Sequence, residues 1–190
     1  MNYLFFDTET TGLPDNNRAH YTNIENWPRI VQISWIIADS EGNVKKESDF
    51  IVKVDCEIPA DASEIHGITN EIAAAKGVPI SDVLTLFLAD LEGVEKLISH
   101  NVDFDLPVLK SELYRNNFKH DFDLPTFCTM KSATDFCQIP GNRGYKWPRL
   151  DELYSICFDK ELHNAHNALV DVRATLEVFY HLKREQIFEV

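Results

Sequence analysis

This chain of 190 residues lacks long apolar runs, and its basic residues are outnumbered by acidic ones. No stretch of about 18 apolar residues occurs, and the amino terminus carries no basic region or small-residue cleavage site. We therefore expect a cytosolic protein with no membrane partner. Because 44% of the residues are hydrophobic and glycine and proline are few, residues 1–190 suit one globular domain.

The chain has few cysteines, and it has fewer basic than acidic residues. The four cysteines form no CxxC pair, which argues against a zinc site or a disulfide framework and predicts buried, reduced thiols. The formal net charge is −13, which is unfavourable for sequence-independent capture of a nucleic-acid backbone by many Lys and Arg contacts. Bound metal cations would neutralise part of this charge, so a phosphate substrate is still compatible with it.

The most informative segment that is present is Tyr3–Gly12, an apolar strand that ends in two carboxylates. On an extended strand, Asp7 and Glu9 face the same way with Cα atoms roughly 6.5–7 Å apart, so they present two hard oxygen ligands. Like charges at a buried strand end need an offsetting cation or donors, and a divalent metal is the simplest offset. An ordinary solvated turn is the alternative, but Gly12 permits a positive φ and close approach to a ligand.

The rest of the chain predicts a mixture of strands and helices. Residues 30–37 form an apolar, β-rich run, and residues 50–54 alternate, so with the first strand they predict three consecutive antiparallel strands. The polar segment 14–28 shows little periodicity, which predicts a loop. This loop is a candidate lid over the site. Further elements are predicted at 61–66 (helical turn), from Thr69 (helix), near Ser81 as N-cap (helix), at 95–99 (strand), from about Leu106 with Pro107 in the first turn (helix), and at 168–183 (helix).

Two later segments each place an acid beside a predicted helix start. Residues 100–105 read HNVDFD, and residues 166–171 read HNALVD. Taken alone, each aspartate is typical of a helix cap or first-turn acid, and His166 is typical of a structural or surface histidine. The remaining histidines without ligand partners at a suitable spacing are expected at the surface: His20, His120 and His181.

In chain order, these segments resemble the three motifs of the DEDDh family of 3′-to-5′ exonucleases, D-x-E-T-T-G, H-N-x-x-F-D and H-x-A-x-x-D, all of which are complete here. The resemblance covers essentially the whole chain. It implies an α/β, ribonuclease H-like fold, in which a mixed sheet of about five strands, the first three antiparallel, is flanked by helices. The acids are then expected at one edge of this sheet, within a single exonuclease domain.

The resemblance also implies roles for individual residues. It implies that four acids bind metal: Asp7, Glu9, Asp105 and Asp171. It makes His166 the general base, because this histidine stands five residues before Asp171 as the motif requires, which sets His163 aside. The register of the second motif likewise excludes Asp103. Contacts to the terminal nucleotide are implied for Thr8, Thr10, Thr11, Gly12, Leu13, His66 and Phe104.

The mechanism implied by the family is two-metal phosphodiester hydrolysis, with cations roughly 4 Å apart at the scissile phosphate and a nucleoside 5′-monophosphate as product. Mg²⁺ and Mn²⁺ both suit an all-carboxylate site. A histidine suits proton transfer near neutral pH.

Residues 141–149 form a local basic and aromatic cluster. Arg143, Lys146 and Arg149 offer phosphate contacts, and Trp147 offers a surface on which a base can stack. The alternative is a surface loop in which Trp147 packs against the core.

The overall pattern, including Ile65–Thr69 (IHGIT), is most similar to the epsilon proofreading subunits of bacterial DNA polymerase III. This similarity implies a single-stranded DNA 3′ end as the substrate and a DNA polymerase as a candidate partner. Those subunits carry a further C-terminal segment that holds the polymerase, so we expect a stand-alone or loosely attached exonuclease. Two alternatives stay open: an RNA-trimming or oligoribonucleotide exonuclease, and a non-catalytic module that holds a strand end or a protein partner.

Overall fold

This computed structural model describes residues 1–119 and 123–189, which form both strands and helices. The strands are β1 (Asn2–Thr10), β2 (Ile30–Asp39), β3 (Val44–Lys53), β4 (Val78–Pro79), β5 (Lys96–Ser99), β6 (Thr126–Cys128), β7 (Pro140–Gly141) and β8 (Gly144–Tyr145). The helices are α1 (Ala60–His66), α2 (Asn70–Lys76), α3 (Ile80–Asp90), α4 (Val102–Arg115), α5 (Thr129–Ser132), α6 (Thr134–Cys137), α7 (Leu150–Phe158) and α8 (Ala168–Arg184). The predicted surface position of His120 lies outside the described residues.

The main sheet has six strands in the order β4-β3-β2-β1-β5-β6. Strands β1, β2 and β3 are consecutive and antiparallel, as predicted, while β5 pairs parallel with β1 and β6 pairs parallel with β5. The prediction of about five strands was one short. Strands β4 and β6 are two and three residues long, and so short a strand carries no readable alternation of polar and apolar residues.

Strand β1 is buried on both faces and divides the core in two. Leu4 and Phe6 pack in the cluster that contains residues of α3 and α4. Tyr3 and Phe5 point to the opposite face, where they pack in the cluster that contains residues of α7 and α8. Because successive side chains of a strand alternate between its faces, the residues that follow Phe6 are also divided between the two helical layers.

Two predicted helix starts were wrong by a few residues. Helix α3 begins at Ile80 with Pro79 in the N-cap position, so Ser81 is not the cap. Helix α4 begins at Val102, and Pro107 therefore lies beyond the first turn. Because Pro107 has no N–H, the carbonyl of Asp103 in the first turn receives no amide hydrogen bond from it. The helix after Thr69 is confirmed, and the Thr69 side chain accepts a hydrogen bond from the amide of Ile72.

The predicted loop at 14–28 is present and is fastened to α4. The Asn26 side chain hydrogen-bonds the backbone nitrogen and oxygen of Asn16, at 2.8 and 3.1 Å. Arg115 of α4 donates to the carbonyls of Ile24 and Trp27, at 2.7 and 3.0 Å. The first contacts join the two ends of the loop to each other, and the second join its C-terminal end to α4. Trp27, at that end, is buried.

The four cysteines are free thiols, but they are not all buried as predicted. Cys128 is buried, Cys137 and Cys157 are half-buried, and Cys56 is exposed because it follows the end of β3. Among the described residues, no helix has both the length and the apolar character that a bilayer span requires.

Candidate active site

The acids of the first motif lie at the end of β1, where the strand alternation separates them from Thr8. Asp7 and Glu9 continue the face of Tyr3 and Phe5, toward α8, while Thr8 continues the opposite face, toward α4. Asp171 lies in the first turn of α8. Carboxylate oxygens of Asp7, Glu9 and Asp171 all lie within 4.8 Å of one another. Two distant segments thus form one group of three carboxylates.

The amino terminus of α8 is shaped by local hydrogen bonds. His166 has φ +65°, a left-handed conformation that turns the chain into the helix, and its backbone N–H donates to Asp171 Oδ2 at 3.0 Å. The Asn167 side chain caps the helix by accepting from the amide of Val170 at 3.3 Å. This turn places the exposed His166 side chain on the wall of the cavity that also contains Asp171.

Asp105 approaches the site from the opposite face of the sheet. Its Oδ1 accepts from the backbone N–H and the hydroxyl of Thr8, at 3.2 and 2.8 Å, and its Oδ2 accepts from the hydroxyl of Ser99 at 2.5 Å. Asp105 is 4% exposed and lines the same cavity as the three carboxylates, although it is not a member of their close group. Asp103 instead points to solvent, where it forms an ion pair with Lys131.

The site contains several buried carboxyl groups whose negative charges raise one another's pKa values. Burial, and then the charges of Asp105, Asp171 and Glu9, raise the pKa of Asp7 well above its ordinary value. Burial, and then the charges of Asp171 and Asp105, raise the pKa of Glu9 to about 8. Burial raises the pKa of Asp105 to about 6, against the lowering effect of the hydrogen bonds from Ser99 and Thr8. Each ionised carboxylate is therefore unfavourable in this setting.

A divalent cation fits this arrangement. Burial also raises the pKa of Asp171 to about 6, although the backbone N–H and the charge of His166 oppose the rise. The Asp171 Oδ1 atom is buried and has no hydrogen-bond partner among the described residues. Such an atom is an oxygen donor available to a hard cation, and the three neighbouring carboxylates supply the remaining charge.

A cavity of about 770 Å³ opens over these acids. The predicted site residues that line it are Asp7, Thr8, Glu9, Leu13, Phe104, Asp105, Arg149, His166 and Asp171. The predicted site residues that do not line it are Thr10, Thr11, Gly12, His66, Arg143 and Lys146. His163, the rejected alternative to His166, is exposed and also lies outside this lining.

The hydroxyls of Thr10 and Thr11 are used within their own loop. Thr10 Oγ1 donates to the carbonyl of Gly12 at 2.6 Å, and Thr11 Oγ1 accepts from the backbone N–H of Arg29 at 3.0 Å. Gly12 has φ +152°, which agrees with the predicted positive φ. The space where a Cβ would stand is open. These bonds shape the turn that carries Leu13, which is 84% exposed, to the cavity.

His66 is buried behind this turn. Its Nδ1 accepts from the backbone N–H of Ile68 at 3.1 Å, so Nε2 carries the proton of the neutral ring. Burial lowers the pKa of the ring, and a hydrogen bond to the backbone of Thr10 opposes this effect. His66 is therefore a buried ring in contact with the turn at Thr10.

The basic cluster of the β7–β8 hairpin is largely paired with acids. Lys146 pairs with Glu152 at 2.5 Å, and Arg149 pairs with Asp151 at 2.7 Å. Arg143 is exposed between β7 and β8. Trp147 is 60% exposed and lines the cavity, so the interpretation in which it packs against the core is wrong.

Sequence reasoning missed three buried residues that support the site. Ser99 holds Asp105, and Gln32 accepts from the backbone N–H of Ala168 at 3.2 Å, at the start of α8. His100 donates from Nε2 to the carbonyl of Pro148 at 3.1 Å, and burial lowers its pKa to about 4. A polar residue inside or directly after an apolar strand was the available signal for each of them.

Comparison with known proteins gives consistent results. The family model described as "Exonuclease" matches residues 4–179. The uncharacterized exonuclease CP81 of Escherichia phage 186 is 30% identical over 181 residues, which cover 92% of this chain and 84% of the phage protein. The epsilon subunit of DNA polymerase III from Rickettsia conorii is 29% identical over 184 residues, which cover 94% of this chain and 72% of the subunit.

A solved structure supports the fold. The zinc-bound form of the Escherichia coli exonuclease I complex with single-stranded DNA matches with a TM-score of 0.74 and 27% identity over 97% of this chain. The chain spans 41% of the length of that enzyme. This likeness confirms the predicted mixed α/β, ribonuclease H-like architecture.

Proposed function

Because this chain belongs to the exonuclease family and is a 3′-to-5′ exonuclease, we propose that it hydrolyses the 3′ ends of single-stranded DNA to nucleoside 5′-monophosphates. The reaction uses two divalent cations, Mg²⁺ or Mn²⁺, and His166 as the general base. The observation that carries this proposal is the group of three carboxylates from β1 and α8, whose oxygens lie within 4.8 Å of one another beneath a cavity.

We propose that the acids bind the cations from two faces of the sheet. Asp7, Glu9 and Asp171 would hold a divalent cation directly, because they converge and one Asp171 oxygen has no partner in the part of the chain that the structure describes. Asp105 would complete the ligand set from the α4 side, with its carboxylate oriented by Thr8 and Ser99. When bound, the cations supply positive charge that offsets the phosphate and the acids.

The position of His166 on the wall of the same cavity supports its proposed role as the general base. Its backbone is fixed by the bond to Asp171, while its imidazole is exposed on the cavity wall. A side chain that is free to turn but anchored at its backbone can reach the proton of a water molecule that attacks the phosphate. Of the residues for which the family resemblance implies contact with the terminal nucleotide, Thr8, Leu13 and Phe104 line the cavity, and we propose these three as its direct contacts.

The choice of single-stranded DNA rests on the cavity and on similarity. Leu13 and Phe104 give the cavity apolar walls beside the acids, which suits a nucleotide with its base unstacked from a duplex. The exonuclease I neighbour was solved with single-stranded DNA. The epsilon relatives take their name from DNA polymerase III, and we propose a DNA polymerase as a partner and a cytoplasmic location.

The test is degradation of matched 3′-labelled and 5′-labelled single-stranded DNA and RNA with Mg²⁺, Mn²⁺ or EDTA. We expect metal-dependent shortening from the 3′ end, faster on DNA than on RNA, and loss of this activity in Asp7→Ala. Binding of both polymers without cleavage under all metal conditions would instead support the non-catalytic module. Faster cleavage of RNA would reassign the substrate, because the pocket would then accept the 2′-hydroxyl.

A further inference from the structure

The indole of Trp147 is exposed on the wall of the cavity that holds the acids. It is 60% exposed, whereas Trp27 and Trp35 are 3% and 0% exposed. Large aromatic side chains usually bury most of their surface, so one left open beside reactive groups provides contact area for a ligand. The ring belongs to the segment between the β7–β8 hairpin and α7.

The backbone under this indole is held rigidly. The carbonyl of Pro148 can only accept, so it receives the Nε2 proton of His100 at 3.1 Å. His100 Nδ1 is then the acceptor for the hydroxyl of Thr129 at 2.9 Å. Pro148, His100 and Thr129 are all buried. A ring carried by a fixed backbone loses little conformational freedom when a ligand contacts it.

A cation accompanies the ring. Lys131 Nζ lies 5.7 Å from the centroid of the Trp147 ring, within the range of a cation–π contact, and it also pairs with Asp103. The chain as a whole has a formal net charge of −13. Lys131 does not itself line the cavity, but an aromatic surface beside a lysine is a combination that binds a base and a nearby phosphate, so the edge of the cavity at Trp147 suits a nucleic-acid strand.

We propose that Trp147 is a stacking platform for one base near the 3′ end of the bound strand. This inference rests on the proposed function, since it takes the strand end in the cavity as given. Every base has a π face, so the platform tolerates any sequence but requires a base to be present. A strand with an abasic nucleotide at the platform position is therefore bound more weakly than an intact strand.

Intrinsic fluorescence provides a binding signal that does not depend on catalysis, because the other two tryptophans are buried. The ligand is a dT oligonucleotide with hydrolysis-resistant phosphorothioate linkages at its 3′ end, titrated with Mg²⁺ present. We expect quenching of the wild-type protein and loss of this quenching in Trp147→Phe. Tyr145→Ala is the matched control, because Tyr145 is 51% exposed, lies two residues before Trp147 and does not line the cavity. It should quench like the wild type.

An abasic scan then locates the base. Single abasic nucleotides are placed at the terminal, second and third positions of the same oligonucleotide, and affinities are measured by anisotropy of a 5′ label. We expect Trp147→Ala to bind the intact strand about 5- to 100-fold more weakly. The wild type should discriminate against one abasic position by a similar factor, Trp147→Phe should keep part of that preference, and Trp147→Ala should lose it.

The outcomes separate this inference from the proposed function. If Trp147→Ala discriminates against abasic positions as the wild type does, while metal-dependent hydrolysis is intact, then the platform is refuted and the exonuclease stands. If the wild type neither binds nor hydrolyses the unmodified oligonucleotide, the proposed function fails and the platform fails with it.

Discussion

At the scale of residues, neighbouring acids in one segment have different surroundings. Asp105 is buried and receives three hydrogen bonds from Thr8 and Ser99, while Asp103 is exposed and pairs with Lys131. The two residues are close in sequence, so replacing each one tests the assignment with a built-in control.

We expect Asp105→Ala to weaken Mg²⁺ or Mn²⁺ binding by about 10- to 100-fold and to lower turnover by at least as much. Removal of the carboxylate takes away an oxygen donor and leaves the Thr8 and Ser99 hydroxyls without their acceptor. Calorimetry and oligonucleotide hydrolysis measure the two effects. Asp103→Ala should change both quantities by less than about twofold, as an exposed pair contributes little. Equal metal affinity in the wild type and Asp105→Ala would contradict the role of Asp105 as a ligand.

His166 and His163 are also close in sequence, so replacing each of them again provides a test and its control. We expect His166→Ala to retain metal binding but to lower turnover by about 100- to 10,000-fold, since the proton acceptor is gone while the carboxylates stay in place. His163→Ala should keep wild-type turnover, because His163 is exposed and does not line the cavity. Single-turnover hydrolysis at several pH values checks this, and comparable losses in both variants would remove the distinction between the two histidines.

At the scale of elements, the site depends on how α8 is joined to the sheet. Gln32 of β2 is 2% exposed, and its side chain connects Asp49 of β3 to the backbone N–H of Ala168 at the first turn of α8. Glu9 is the β1 partner of Gln32 in the sheet register. The buried Gln32 side chain therefore connects the strand pair that contains Glu9 to the first turn of α8, which carries Asp171.

We expect Gln32→Leu to lower the free energy of unfolding by about 1–3 kcal/mol, because it leaves a buried amide without an acceptor. It should also reduce turnover and metal affinity, as the first turn of α8 is no longer held beside Glu9. The matched control is Ser34→Ala, which removes another hydrogen bond to Asp49, at 2.6 Å, without touching α8. Thermal denaturation and hydrolysis separate the two. A loss of activity in Ser34→Ala equal to that in Gln32→Leu would point to general destabilisation.

At the scale of the whole molecule, the acids of the site oppose folding when no cation is bound. The pKa of Glu9 is raised to about 8 and that of Asp7 is raised well above its ordinary value, so the folded chain binds more protons than the unfolded chain between the ordinary and the raised values. The stability linked to these groups is present at low pH and is lost as the pH rises through the raised pKa. Function thus costs stability that metal binding restores.

We expect the melting temperature in EDTA to fall between pH 6.5 and 8.5, and Mg²⁺ to reduce that fall by binding the ionised carboxylates. His66 and His100, whose pKa values are lowered from 6.5, oppose this fall until the unfolded histidines are deprotonated, so the effect of the acids is read in the upper part of this range, about one pH unit above 6.5. Glu9→Gln removes one titrating group and should flatten the dependence in EDTA. A slope that is the same in Glu9→Gln and the wild type would show that other groups cause it.

Alternation, helical periodicity and motif spacing are local properties of a chain, so they were sufficient to predict the strand end with its paired acids, the three antiparallel strands, the terminal helix and the exonuclease family. The face that each acid occupies, and the contacts that hold it there, became known from the packing of the folded chain. The alternation of β1 directs Asp7 and Glu9 to Asp171 but Thr8 to Asp105, and the supports from Gln32 and His100 join elements far apart in sequence. Such long-range contacts follow from packing two helical layers against one sheet, which no local pattern records.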